Sequence, residues 1–235
     1  MINKSYIQHK IYLYTSNLLL HVIISRNSVK YIFMAGAPGS KWSSVSKNIY
    51  YSPDVDRSDY SEERTYYHDA PGDMQLMHMG AYFDPGMEFG QQFNRLETFS
   101  KQQCEAMFDK PFSGEGVRII KSHVFSHKID FLKQHWPECP IVLVHRENDA
   151  CLGWWVKCGH FDITYPNYLP YYKDLRTMAT IIAAQNADLM NAWYTHPGAD
   201  DIGSNTGLSV KLGIEPPPPE YGQNYQTSGI RIKVI

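Results

Sequence analysis

Three short polar stretches carry the residue types that could do chemistry: "GAPGSKWSS" (Gly36–Ser44), "KSH" (Lys121–His123) and "HREND" (His145–Asp149). In the first, a glycine turn leading into a helix offers backbone N–H groups and a helix dipole to an anion. Ser40, Lys41, Ser43 and Ser44 add donors and one full charge. In the second, Lys121 and His123 lie two apart on a predicted strand, so both project to one face and bring a cation and a proton acceptor together. In the third, the guanidinium of Arg146 suits a planar, two-pronged hold on a further phosphate. The combination describes group transfer on a phosphorylated ligand. It does not describe an ATP-type phosphate loop, which needs Gly-Lys-Ser/Thr with the lysine six residues after the first glycine. Trp42 stands at that place, and Lys41 follows Ser40 rather than a glycine. Each stretch also has a plain structural reading: a turn capping a helix, a hydrogen-bonding strand-end histidine, and Arg146 paired with Asp149 or Glu147.

The elements that must position these residues are legible as apolar runs. Tyr31–Ala35, Val117–His123 and Ile141–Arg146 read as buried strands, and each ends at one of the three stretches. A helix is expected from about Lys41 to Tyr50, a second inside "SHKIDFLKQHWPEC" closed by Pro137, and a long one within Tyr168–His196. Strand, helix, strand at these lengths implies a parallel crossover, hence an α/β fold of three layers with a central parallel sheet flanked by helices. Such sheets bind ligands at the carboxyl ends of their strands, where all three stretches fall. Residues 51–116, rich in Tyr, Asp, Gly and Met, read as an insertion or lid on the acceptor side. The proline-rich tail after Leu212 reads as an extended strap. The expected organisation is an N-terminal extension over 1–29 and a single domain over 30–235.

Composition narrows the class. The formal charge of -2 gives no basic field of the kind that accompanies nucleic-acid binding. The four cysteines have no regular spacing, which argues against a disulfide framework and for a reducing, cytoplasmic location. Cys151, Cys158 and His160, or His68 and His78, lack zinc-site spacing, so no metal is expected. The apolar stretch Ile11–Ser25 is interrupted by Ser16, Asn17 and His21 and falls short of the ~20 residues of a membrane span. It reads as part of the extension, with a signal anchor as the alternative.

In this order, "APGSKWSS", "KSH" and "RENDACLGWW", followed by "LSVKLGIEPPPP", resemble the sulfotransferase family that uses 3'-phosphoadenosine 5'-phosphosulfate (PAPS), over roughly residues 30 to 215. The pattern resembles a compact microbial or viral member. The resemblance implies a P-loop-like fold and transfer of a sulfuryl group from PAPS to a hydroxyl or amine of a small-molecule or carbohydrate acceptor, leaving 3'-phosphoadenosine 5'-phosphate. It implies that Pro38, Gly39, Ser40, Lys41, Trp42, Ser43 and Ser44 hold the 5'-phosphosulfate, with Lys41 meeting the charge on the departing phosphate. It further implies that His123 is the base, that Lys121 stabilises the sulfuryl oxygens, and that Arg146, with Gly153 at the place of the family's serine, holds the 3'-phosphate. Gly39 stands where the family loop has lysine, the proline of the third motif is missing, and no Arg-Lys-Gly segment closes the C-terminus, where Arg231 or Lys233 are the substitutes. Tyr66, Tyr67, His68, Tyr82 and Phe83 are candidates to line the acceptor site or to pack the insertion, and Glu63, Asp69 and Asp84 are alternative bases. The rival readings are a nucleotide kinase and a non-catalytic nucleotide-binding or scaffold protein of the same fold.

Overall fold

The computed structural model describes residues 29–60, 80–83, 95–157, 174–221, 225 and 228–235. The expectations for residues 1–28, including Ile11–Ser25, lie outside them. The chain order is β1 (Tyr31–Gly36), α1 (Trp42–Tyr50), α2 (Lys101–Asp109), β2 (Arg118–Lys121), a 3-10 helix (His123–His127), α3 (Ile129–His135), β3 (Ile141–His145), α4 (Asn148–Lys157), α5 (Leu175–Thr195), α6 (Asn205–Leu212) and β4 (Arg231–Val234). The protein is therefore α/β, with helices around one four-stranded sheet in the order β2-β1-β3-β4.

The central strand β1 is apolar throughout and buried at all six positions, as a strand covered on both faces must be. It runs parallel to β2, with Tyr31 opposite Arg118, and parallel to β3, with Phe33 opposite Ile141. The parallel crossover expected between the second and third strands is present, and it spans β1. The chain thus leaves β1 toward β2 on one side and returns to β3 on the other, which makes the carboxyl end of β1 a topological switch point.

Alternate residues of β1 feed two cores. Tyr31, Phe33 and Ala35 face Phe108, Phe125, Trp136 and Leu189. Ile32 and Met34 face Trp42, Val45, Ile49 and Leu208. The first core is aromatic: the Phe33 ring lies 5.6 Å from Phe108, 5.6 Å from Phe125 and 5.5 Å from Trp136. Edge and tilted contacts at such spacings are the favourable ones for aromatic quadrupoles.

Two differences from the sequence reading follow from packing. The described parts of 51–116 belong to the body of the fold rather than lying over it as a lid. Ala81, Phe83, Leu96, Cys104 and Phe108 are buried in the first core, and Val55 forms a parallel bridge to Val117 beside β2. Helix α2 itself opens with a reciprocal capping box between Ser100 and Gln103. The tail is also more than a strap, since it ends as β4, antiparallel to β3 with Val142 opposite Val234. The alternation of Ile232 and Val234 with Arg231 and Lys233 suits an edge strand.

Candidate functional site

The loop after β1 begins as a turn in which the Ser40 amide donates to the Ala37 carbonyl at 3.0 Å. Pro38 and Gly39 occupy its centre, with Gly39 at φ +78°, the arrangement of a type II turn. A Cβ on Gly39 would lie 2.0 Å from the Cys151 carbonyl oxygen, so the turn presses backbone to backbone against α4. This explains why no lysine stands at Gly39: no side chain fits. The cation comes two residues later. Lys41 adopts the left-handed region at φ 64°, strained for a non-glycine residue, and as the N-cap of α1 its side chain makes no capping bond.

Lys41 Nζ lies 4.3 Å from the Trp154 ring centroid. The Arg146 guanidinium is 6.0 Å from the same ring, and Lys157 Nζ 5.6 Å. Three cations thus surround one indole, an arrangement that the ring's negative faces stabilise. Arg146 Nη1 also donates to the Gly39 carbonyl at 3.4 Å. The Arg146 main chain is fixed from α5, where Asn186 Nδ2 donates to the Arg146 carbonyl at 2.9 Å and to Asn148 Oδ1 at 2.7 Å. Arg146 therefore turns toward the loop, and neither Asp149 nor Glu147 forms an ion pair with it. Around this turn three donors are buried without a partner among the described residues: Ser40 Oγ, Arg146 Nε and Trp154 Nε1.

His123 joins the loop from the other side. Strand β2 ends at Lys121, Ser122 caps the 3-10 helix by accepting from the Val124 amide at 3.1 Å, and His123 opens that helix. His123 Nδ1 lies 2.7 Å from the Gly36 carbonyl oxygen. A carbonyl only accepts, so Nδ1 carries the proton, and in the neutral ring Nε2 holds the basic lone pair. The ring is 4% exposed and meets Trp42 edge-on at 4.8 Å.

Lys121 departs from its expected role. His123 does not share a strand with it, because β2 stops at Lys121 and His123 belongs to the 3-10 helix, and the Lys121 ammonium sits 5.9 Å from the Tyr50 ring, at the far end of α1. Eight helical steps place that end roughly 12 Å from the loop. The physical reason is Asp59, a buried carboxylate that accepts from the Tyr50 hydroxyl at 2.8 Å and from the Ala81 amide at 2.6 Å. Burial raises the Asp59 pKa, opposed by the Lys121 charge and these two bonds.

Several further expectations are sorted by burial. Trp42 is 2% exposed and stacked on Tyr82 at 5.4 Å, so it serves the core rather than a ligand face. Tyr82 and Phe83 are buried as well, the packing alternative of their two readings. Ser43 and Pro38 are buried, while Ser44 and Gly39 are partly exposed. Gly153 is exposed with open space at its Cβ position and brings no donor side chain. Lys233 Nζ donates to the Trp193 carbonyl at 2.5 Å and pairs with Asp200 at 3.2 Å, while Arg231 lies over the Trp193 ring at 4.9 Å. Neither closes over the loop. Trp155 packs with Met178 and Ile182. Tyr66, Tyr67, His68, Glu63, Asp69, Asp84, His78, Cys158 and His160 lie outside the described residues. Among the described residues no three His, Cys, Asp or Glu side chains group as metal ligands, and no helix is long and apolar enough to cross a membrane.

The loop, the His123 ring and the Arg146–Trp154 cluster thus meet at the switch point, and Lys121 stands apart. Sequence reasoning missed Asp59, the role of Trp154 and Asn186. Only Asn186 left a signal, as a polar residue on the apolar face of a long helix. No family model, curated protein or solved structure matches this chain.

Proposed function

We propose that the protein is a PAPS-dependent sulfotransferase of P-loop-like architecture. The observation that carries the reading is the set of unpartnered buried donors, Ser40 Oγ, Arg146 Nε and Trp154 Nε1, with the Lys41 and Arg146 charges at the switch point. A buried polar group without a partner costs about 1–3 kcal/mol. Three of them together around a helix start fit an anionic ligand that supplies the missing acceptors.

When bound, PAPS supplies the activated sulfuryl group. An acceptor oxygen or nitrogen forms the new bond to sulfur, the bond from sulfur to the 5'-phosphate oxygen breaks, and the acceptor proton passes to Nε2 of His123. The hydrogen bond to Gly36 holds His123 in the tautomer that can take it. Lys41 and the first amides of α1 meet the charge that builds on the phosphate. Arg146 holds the 3'-phosphate across Trp154. Lys121 takes no direct part, since Asp59 draws it away.

The test is transfer of labelled sulfuryl from PAPS to a panel of hydroxyl and amine acceptors. His123→Ala should lose about 100-fold or more in rate, with affinity for 3'-phosphoadenosine 5'-phosphate unchanged. A variant that keeps more than about a tenth of the rate removes His123 as the base.

A further inference from the structure

On the other face of the sheet, the end of the 3-10 helix, the start of α3 and the middle of α5 line a cavity of about 390 Å³ that is open to solvent. Its size is at the small end of the ~300–1,000 Å³ range of ligand pockets. We propose that this cavity is a second binding site, for a neutral polyhydroxyl ligand of about one sugar ring. The inference does not rest on the sulfotransferase reading.

Each carboxylate of the lining already accepts a hydrogen bond from a neighbouring side chain. Asp188 Oδ2 accepts from His127 Nδ1 at 2.6 Å, and Glu97 Oε1 accepts from Lys128 Nζ at 2.5 Å. Asp130 Oδ1 accepts from His196 Nε2 at 2.8 Å. A free ion would find each carboxylate already carrying a donor. The second oxygens of Asp188 and Asp130 remain open to accept a hydroxyl, and the exposed Asn191 side chain adds both a donor and an acceptor. Groups that donate and accept at once, as sugar hydroxyls do, match such a lining. Phe131, half-buried at one wall, supplies an apolar face for the C–H side of a ring.

Ser126 is the independent sign of a missing occupant. It lines the same cavity and is 2% exposed, and its hydroxyl has no hydrogen-bond partner among the described residues. Buried hydroxyls are otherwise satisfied almost everywhere in folded proteins. The unpartnered hydroxyl does not bond His127, so Ser126, His127 and Asp188 form no nucleophilic triad. The chemistry of the cavity is binding rather than catalysis.

The test is a ¹H–¹⁵N titration of the full chain with methyl glucoside, methyl galactoside and N-acetylglucosamine, with spermidine as the cationic comparison. At least one sugar should give saturable shifts confined to the amides of residues 126–131 and 188–192. Asp188→Asn and Asn191→Ala, both at exposed positions of α5, should each weaken that binding about tenfold or more while melting normally. Ser126→Ala should weaken it as well. The proposal is overturned by no saturable shift with any of the three sugars, by spermidine binding in their place, or by undiminished sugar affinity in the α5 variants.

Discussion

Replacing Gly39 with alanine should be among the most damaging single-methyl changes in this protein. The residue holds φ +78°, and the added Cβ would lie 2.0 Å from the carbonyl oxygen of Cys151. The left-handed backbone costs a non-glycine residue about 1–2 kcal/mol. Forcing the turn away from α4 adds about 1–3 kcal/mol, because the opposing atom is backbone and cannot rotate aside. The sum is about 2–5 kcal/mol, or about 4–20 °C in melting temperature for a chain of this size. Urea and thermal unfolding measure it, with Gly153→Ala as the counterpart. Gly153 sits inside α4 with nothing near its Cβ position, so alanine there should stabilise by about 1 kcal/mol. The displaced turn should also carry the Gly39 carbonyl away from Arg146. A Gly39→Ala protein within about 0.5 kcal/mol of wild type would refute the claim that the loop is pressed against α4.

Burial lowers the pKa of His145, with the Arg231 charge acting in the same direction against Glu147. A lowered histidine stabilises the fold above its unfolded pKa of about 6.5 and loses that contribution as pH falls; His145→Leu should therefore show a shallower loss of stability on acidification, read by urea midpoints. Asp59 has the opposite sign, because its raised pKa gives stability that is full below about 3.9 and lost as pH rises through the folded value. The stability advantage of wild type over Asp59→Asn should shrink from acid toward neutral pH in the same assay. Burial pushes the thiols of Cys104 and Cys139 up to about 11 and that of Cys151 up to about 12. Alkylation of these three in the native protein should be roughly a hundredfold slower than in urea by peptide mapping, since the thiolate is the reactive form.

The apolar runs of the sequence were sufficient to find β1, β2 and β3, because β1 and β3 are buried at every position and β2 centres on the buried pair Ile119 and Ile120. Strand β4 escaped because its Arg-Ile-Lys-Val alternation is short and follows a run of prolines. The Pro38–Gly39 pair announced a tight turn, but what Gly39 presses against lies more than a hundred residues away and leaves no local mark. The same holds for Asp59, whose capture of Lys121 depends on tertiary burial, so that spacing on β2 gave the wrong destination for the ammonium. His123 and Arg146 were placed at the carboxyl end of the sheet by strand length alone. The cation cluster was hidden because Trp154 and its neighbour Trp155 look alike in sequence, yet one packs into the fold and the other collects three positive charges.

The central claim is tested most directly by calorimetric titration of the intact protein with 3'-phosphoadenosine 5'-phosphate, against 5'-AMP and Mg-ATP. The bisphosphate should bind, and its binding should weaken at least tenfold, about 1.4 kcal/mol, when the 3'-phosphate is absent or when Arg146 is changed to alanine. Preference for Mg-ATP, or no binding of any of the three, would contradict it.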